Sequence, residues 1–273
     1  MSALPTPEEL ARLSKQLRAQ AKAVAALARA VSPAQPEKLA KGLEAVRKLG
    51  AADVPALVAA TDAWLVDERA GRRERLDRGL REACTADGIE YRVVGREPLE
   101  LRLAPVNVRV DVERDRAEVV FGELVVETCR ADAGAILAAR RTSLAALEPS
   151  DWSAPAFHRQ LRKAWTRVRT DAGQDIVELA DVLPEVAMLV QPRAFLADPL
   201  GAKFKPYPKV RFLYDLWRLQ RERCLEVDGW RLSLGDATGG STKDRQRVFS
   251  VPGALGEPQF KLTLRFAREE LPR

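Results

Sequence analysis

At 273 residues, with 46% hydrophobic and 31% charged side chains, the chain can bury an ordinary core and is long enough for more than one modest domain. Its formal charge of +6 is lopsided: residues 1–154 carry 24 basic and 24 acidic side chains, whereas residues 155–273 carry 21 against 15 and hold the whole excess. One histidine, His158, and three scattered cysteines, Cys84, Cys129 and Cys224, argue against imidazole triads, structural zinc and a disulfide framework; no metal or cofactor is expected, with Mg²⁺ held by carboxylates alone left open.

The first 86 residues read as helices. Thr6-Pro7-Glu8-Glu9 is a helix start, with a capping hydroxyl, proline in the first turn and glutamate three residues after the cap. Leu10, Leu13, Leu17, Val24 and Leu27 then follow at coiled-coil spacing with Gln20 in the same seam, which predicts packing against another helix of this chain, of a second copy or of another subunit. Ser32-Pro33-Ala34-Gln35-Pro36 ends that helix, Leu39, Leu43 and Val46 predict a short second one, and Asp53 caps a long third. The middle of the third, Glu68–Arg75, is nearly free of apolar residues and predicts a solvated face laced by ion pairs, with a second polyanion contact through its arginines as the competing expectation.

After Asp87-Gly88 the apolar period changes to two. Ile89, Tyr91 and Val93, then Leu99, Leu101 and Leu103, then Val106, Val108 and Val110 alternate with polar residues, and Ala117–Thr128 adds a fourth strand region, expected to bulge at Gly122. Asp132–Leu147 reads as a helix able to cover this antiparallel meander. Glu148–Ser153 gathers turn formers where the charge balance changes, which sets three expected regions: 1–86, 87–150 and 151–273.

Beyond that boundary Ser153 caps a helix with Phe157, Leu161, Trp165 and Val168 inward and cations outward. His158 is expected to be solvated or to touch a phosphate. Asp175 is expected to cap the next helix and Pro184 to end it, and Pro208–Arg223 is a further helix. Strands at Trp230–Leu234, Arg247–Val251 and Gln259–Phe266 finish the chain. Helices followed by a hairpin with a long tip, Gly235–Gln246, resemble the order of a winged-helix domain, in which the helix before the hairpin enters a nucleic-acid groove and the tip meets the backbone. The expected fold is therefore α+β: a coiled-coil-like helical module, a meander with a covering helix, and a winged-helix-like C-terminal domain.

The chemistry points to phosphates. Residues 156–169 hold Arg159, Arg162, Lys163, Arg167 and Arg169 with no acid, and Lys203, Lys205, Lys209, Arg211 and Arg218 follow in a second basic stretch. Lys243, Arg245 and Arg247 flank a glycine- and hydroxyl-rich tip suited to close approach to phosphate oxygens. The tip is no nucleotide-binding P-loop, because Ser241 and Thr242 separate its last glycine from Lys243. The expectation is a non-enzymatic subunit of a larger bacterial-type assembly that binds DNA or RNA backbones. A protein scaffold with a basic docking face is the first alternative, and a metal-dependent nuclease using Asp111, Glu113, Glu123 and Glu127 or Asp228, Asp236 and Asp244 is the second. The N-terminal nine residues lack a signal-peptide pattern and no stretch reaches about 18 uninterrupted apolar residues, so a cytoplasmic chain without a membrane segment is expected.

Overall fold

The computed structural model describes residues 7–30, 41, 44, 55–148, 151–172, 174–238, 247–253 and 257–268. The chain is mixed α+β, and its contacts divide it into two compact units. Among the described residues no helix is long and apolar enough to cross a membrane.

The first unit comprises residues 1–83, 111–116 and 131–133. It holds helix α1 (Pro7–Ala30) and most of helix α2 (Pro55–Ala86). The side chains of Leu10, Leu13, Leu17 and Leu27, and the expected Thr6 cap and most of the short helix around Leu43, lie outside the described residues. Val24, a seam position, is 42% exposed. On α2 the polar stretch forms ion pairs, with Glu68 receiving Arg75 at 2.8 Å and Arg72 at 3.6 Å, and Arg69 reaching Glu113 at 3.4 Å. Arginine and glutamate four or seven residues apart share one side of a helix, so Glu68 serves two arginines at once, while the stretch keeps four arginines against two glutamates.

The second unit comprises residues 84–110, 117–130 and 134–273. Its first sheet runs β1 (Tyr91–Arg96), β2 (Leu99–Leu103), β3 (Val106–Asp111), β4 (Arg116–Phe121) and β5 (Leu124–Cys129) in simple sequence order. Strict alternation buries Leu99, Leu101 and Leu103 of β2 and Val106, Val108 and Val110 of β3 on one face. The expected single strand over Ala117–Thr128 is two strands: Gly122, at φ 61°, makes the tight turn, and the irregularity in register falls between Val119 and Val120 instead. Helix α3 (Ala133–Leu147) buries Ile136, Ala139, Ser143 and Leu147. Its Arg140 donates from Nε to Leu103 O at 3.1 Å and from Nη2 to Ala104 O at 2.5 Å, satisfying carbonyls at the β2–β3 turn.

Helix α4 (Ala154–Ala172) begins where Ser153 Oγ accepts from the Ala156 amide at 3.4 Å. Strand β6 (Val177–Glu178) follows, so Asp175 caps nothing, and helix α5 (Leu179–Leu189) carries Pro184 within it rather than ending there. The short helix α6 (Arg193–Ala197) and a 3₁₀ turn at Gly201–Lys203 lead to helix α7 (Lys209–Arg221). Strands β7 (Glu226–Val227), β8 (Trp230–Asp236), β9 (Phe249–Pro252) and β10 (Pro258–Arg268) complete a second sheet ordered β6-β10-β8-β7, with β9 on the first half of β10. Rings knit the core: Phe212 of α7 meets Phe249 at 5.6 Å and Phe157 at 6.4 Å, and Phe121 of β4 meets Tyr214 edge-on at 4.8 Å.

Candidate nucleic-acid interface

Helix α4 turns its charge outward. Arg159, Lys163 and Arg167 recur every fourth residue and are exposed, while Phe157, Leu161 and Trp165 are buried on the other side. Arg159 pairs with half-exposed Asp228 at 2.9 Å, and Arg167 with Glu185 at 3.0 Å. The Asp228 partnership, first through its hydrogen bond, holds Arg159 above its ordinary pKa and Asp228 below its own. Arg162 lies over the Trp230 ring at 5.2 Å and Arg169 over Trp165 at 5.0 Å. Exposed pairs of this kind contribute little to stability, because water and salt screen both partners, so phosphate oxygens can replace the carboxylates.

The cations of α7 are placed differently. Five consecutive residues, Phe212, Leu213, Tyr214, Asp215 and Leu216, are buried, so this helix has no wide solvent face to lay into a groove. Lys209 sits 4.4 Å above the Phe249 ring and donates to Val248 O at 3.1 Å. Arg211 meets buried Asp215 at 3.3 Å and also donates to Ala146 O. Arg218 stacks on Trp152 at 3.8 Å. These three hold the interior together.

Asp215 is 1% exposed and accepts from Tyr207 Oη at 2.6 Å and from Arg211, yet its Oδ1 meets no protein donor. Burial pushes its carboxyl up to about 6 against the opposing pull of Tyr207 and Arg211. Burial, then the Asp215 charge, raises the Tyr207 hydroxyl well above its usual value. The pair borders a cavity of about 270 Å³ shared with Trp152, Gln191 and Lys205.

The remaining candidates are scattered. Lys203 pairs with Asp198 at 2.6 Å, Lys205 is exposed at the rim of that cavity, and Arg247 at the foot of β9 grips Glu178 at 2.6 Å and Asp181 at 2.9 Å. Lys243 and Arg245 lie outside the described residues. The carboxylates weighed for a nuclease are dispersed: Asp111 pairs with Arg114, Glu113 with Arg69, Asp228 with Arg159 and Asp236 with Lys261. Glu127 accepts from Ser143, and Asp244 lies outside the described residues. Among the described residues no three His, Cys, Asp or Glu side chains are grouped to hold a metal ion.

His158 is neither solvated nor exposed to an outside ligand: it is 0% exposed, its Nε2 lies 3.2 Å from Leu225 O, and its ring is edge-on to Phe266 at 5.1 Å. Burial lowers its pKa, so the ring is neutral at physiological pH. Its position was legible after all, since 158, 161 and 165 share one helical stripe with Leu161 and Trp165. Sequence reasoning missed a second basic cluster, of Arg102 on β2 with Arg221 at the end of α7 and Arg223 just beyond it, because the solvent-facing side of β2 gives no sign of what covers it. No protein-family model, curated protein or solved structure matches the chain.

Proposed function

We propose that the chain is a non-enzymatic, nucleic-acid-associated subunit of a larger cytoplasmic assembly, holding DNA or RNA backbones through the outer face of α4. The observation that carries this reading is the stripe of Arg159, Lys163 and Arg167, exposed on a helix with no acid between residues 156 and 169. The element order α4, β6, α5, α7, β8 and β10, with β10 lying between β6 and β8, supports a winged-helix-like C-terminal domain. Because α7 is buried along residues 212–216, the proposed contact is with phosphates and not by insertion of that helix into a groove. Val24, exposed in the seam of α1, supports a further role for α1 in packing against a helix of a partner subunit or a second copy.

The test is binding of random-sequence DNA and RNA as a function of salt, comparing the parent with the triple variant R159E/K163E/R167E. Counterion release makes the logarithm of affinity fall with the logarithm of salt by about 0.9 per phosphate contacted, so the variant should bind at least about tenfold more weakly with a shallower slope. An unchanged circular dichroism spectrum with unchanged affinity and slope would leave α4 as a solvated face and reject the proposal.

A further inference from the structure

We infer that the cleft between strand β2 and the C-terminal end of α7 is a phosphate-binding site anchored by Arg102. Alternation in β2 sends Leu101 and Leu103 into the core and Arg102 to the opposite face, which in an open sheet would be wet. Instead the Arg102 side chain is only 11% exposed, and its buried Nε has no hydrogen-bond partner. The carboxylate that approaches it, Glu90, stays at 3.9 Å and is itself 63% exposed. A guanidinium withdrawn from water without a close counter-charge is unfavourable, and it persists where an anion completes it.

The surroundings add positive charge. Across the ladder Arg102 stands directly opposite Arg92 of β1, a like-charge pair that sheets ordinarily avoid, and opposite neutral Asn107 of β3. The end of α7 brings Arg221, whose guanidinium lies 5.1 Å over the Trp217 ring, and Arg223 to the same cleft, of about 590 Å³. Arg223, at φ 54°, is the left-handed residue that closes α7, its amide donating to Gln220 O at 3.0 Å and that of Cys224 to Leu219 O at 3.1 Å, and this helix-ending turn sets Arg223 at the rim of the cleft. A carboxylate engages one guanidinium side-on, whereas a phosphate presents three or four oxygens and can be shared by several. Three arginines, Arg102, Arg221 and Arg223, line the cleft against one lining carboxylate, Glu90, a balance of charge that favours a phosphate group. The source is either a nucleic-acid strand or a free phosphate ester, and the chemistry of capture is the same for both.

The inference stands independently of the stripe on α4, and the experiment keeps them apart. Thermal melting is followed with inorganic phosphate, a mononucleotide and a short single-stranded DNA bearing a 5′-phosphate, each against chloride at matched ionic strength. The parent should melt higher with phosphate, and the shift should vanish in Arg102→Met. That variant should also melt above the parent in phosphate-free buffer, because its buried cation is gone. Arg223→Gln, at an exposed position, should weaken phosphate binding by about tenfold and decides the matter if Arg102→Met does not fold. A strand preferred over the mononucleotide assigns the site to nucleic acid, and equal responses assign it to a small phosphate ester. R159E/K163E/R167E should keep the phosphate response, so loss of strand binding there rules on α4 alone. No phosphate-specific shift in the parent with any probe, or a full response retained in both Arg102→Met and Arg223→Gln, overturns the inference.

Discussion

Substituting Gly122 with alanine separates two energies that usually come mixed. Gly122 turns the β4–β5 hairpin at φ 61°, and a Cβ there would lie 2.2 Å from Ser250 O and 2.6 Å from Leu213 Cδ2. The first is backbone of the neighbouring sheet and the second belongs to a buried leucine of α7, so neither can swing aside as a flexible surface side chain would. Holding an L-residue in the left-handed region costs about 1 kcal/mol, and forcing a methyl into packed backbone adds about 1–3 kcal/mol, giving about 2–4 kcal/mol in all. Gly88 is the control, because at φ 66° its added Cβ would meet nothing within 4 Å. Gly88→Ala should therefore cost only the conformational part, about 1 kcal/mol. Urea denaturation followed by far-ultraviolet circular dichroism measures both against a total stability on the order of 5–15 kcal/mol. Equal losses in the two variants would refute the reasoning, since they would mean that strand β9 does not press on the hairpin.

Two further outcomes follow from buried groups and from the seam. The raised carboxyl of Asp215 stabilises the fold fully below its unfolded value of 3.8 and loses that contribution as pH rises to about 6, a swing of about 3 kcal/mol. His158 works in the opposite sense: its lowered pKa leaves stability intact above 6.5 and lost as pH falls below it. Denaturation at several pH values between 4 and 7.5 should thus give Asp215→Asn a stability that rises more steeply with pH than the parent's, and parallel curves would remove Asp215 from the account. In α1, Leu17→Asp should lower the mass measured by light scattering or the melting temperature of the helical module, and an unaltered mass and melting temperature would show the heptad spacing to be accidental.

Much of the secondary structure could be read from local pattern, and the departures have physical causes. The period of two in Leu99–Leu103 and Val106–Val110 fixes both strands and their buried face, because alternation is a property of the backbone alone. The outward cations of α4 follow equally from the spacing of Phe157, Leu161 and Trp165. Residues 212–216 are a near-continuous apolar run, a sign that the middle of α7 is enclosed, and Asp215 within it disguises that sign as amphipathicity. Pro184 predicts a helix end, yet α5 continues through it. Arg102 was illegible in principle: its strand position is evident, but the closure of the cleft over it comes from residues more than a hundred positions away in sequence, which no local period encodes.

The same residue type serves two ends in this chain, and the distinction lies in what each cation would lose by turning to a phosphate. Arg159 and Arg167 would leave exposed carboxylates that water resolvates at once. Arg211 would strip Asp215 of its cation, and the buried carboxyl, already pushed up to about 6 with Arg211 in place, would have to take up a proton or stand unpaired, a loss of up to about 3–5 kcal/mol, comparable to the whole margin of a modest domain. An affinity measurement alone confuses the two, because an unfolded fraction and a weakened contact both reduce binding. The salt slope does not: Arg159→Ala or Arg167→Ala should each lower it by about 0.9, whereas Arg211→Ala should lower the folded fraction and leave the slope of the folded remainder unchanged. A slope reduced by Arg211→Ala in a fully folded protein would place that guanidinium at the phosphate surface and overturn the division drawn between α4 and α7.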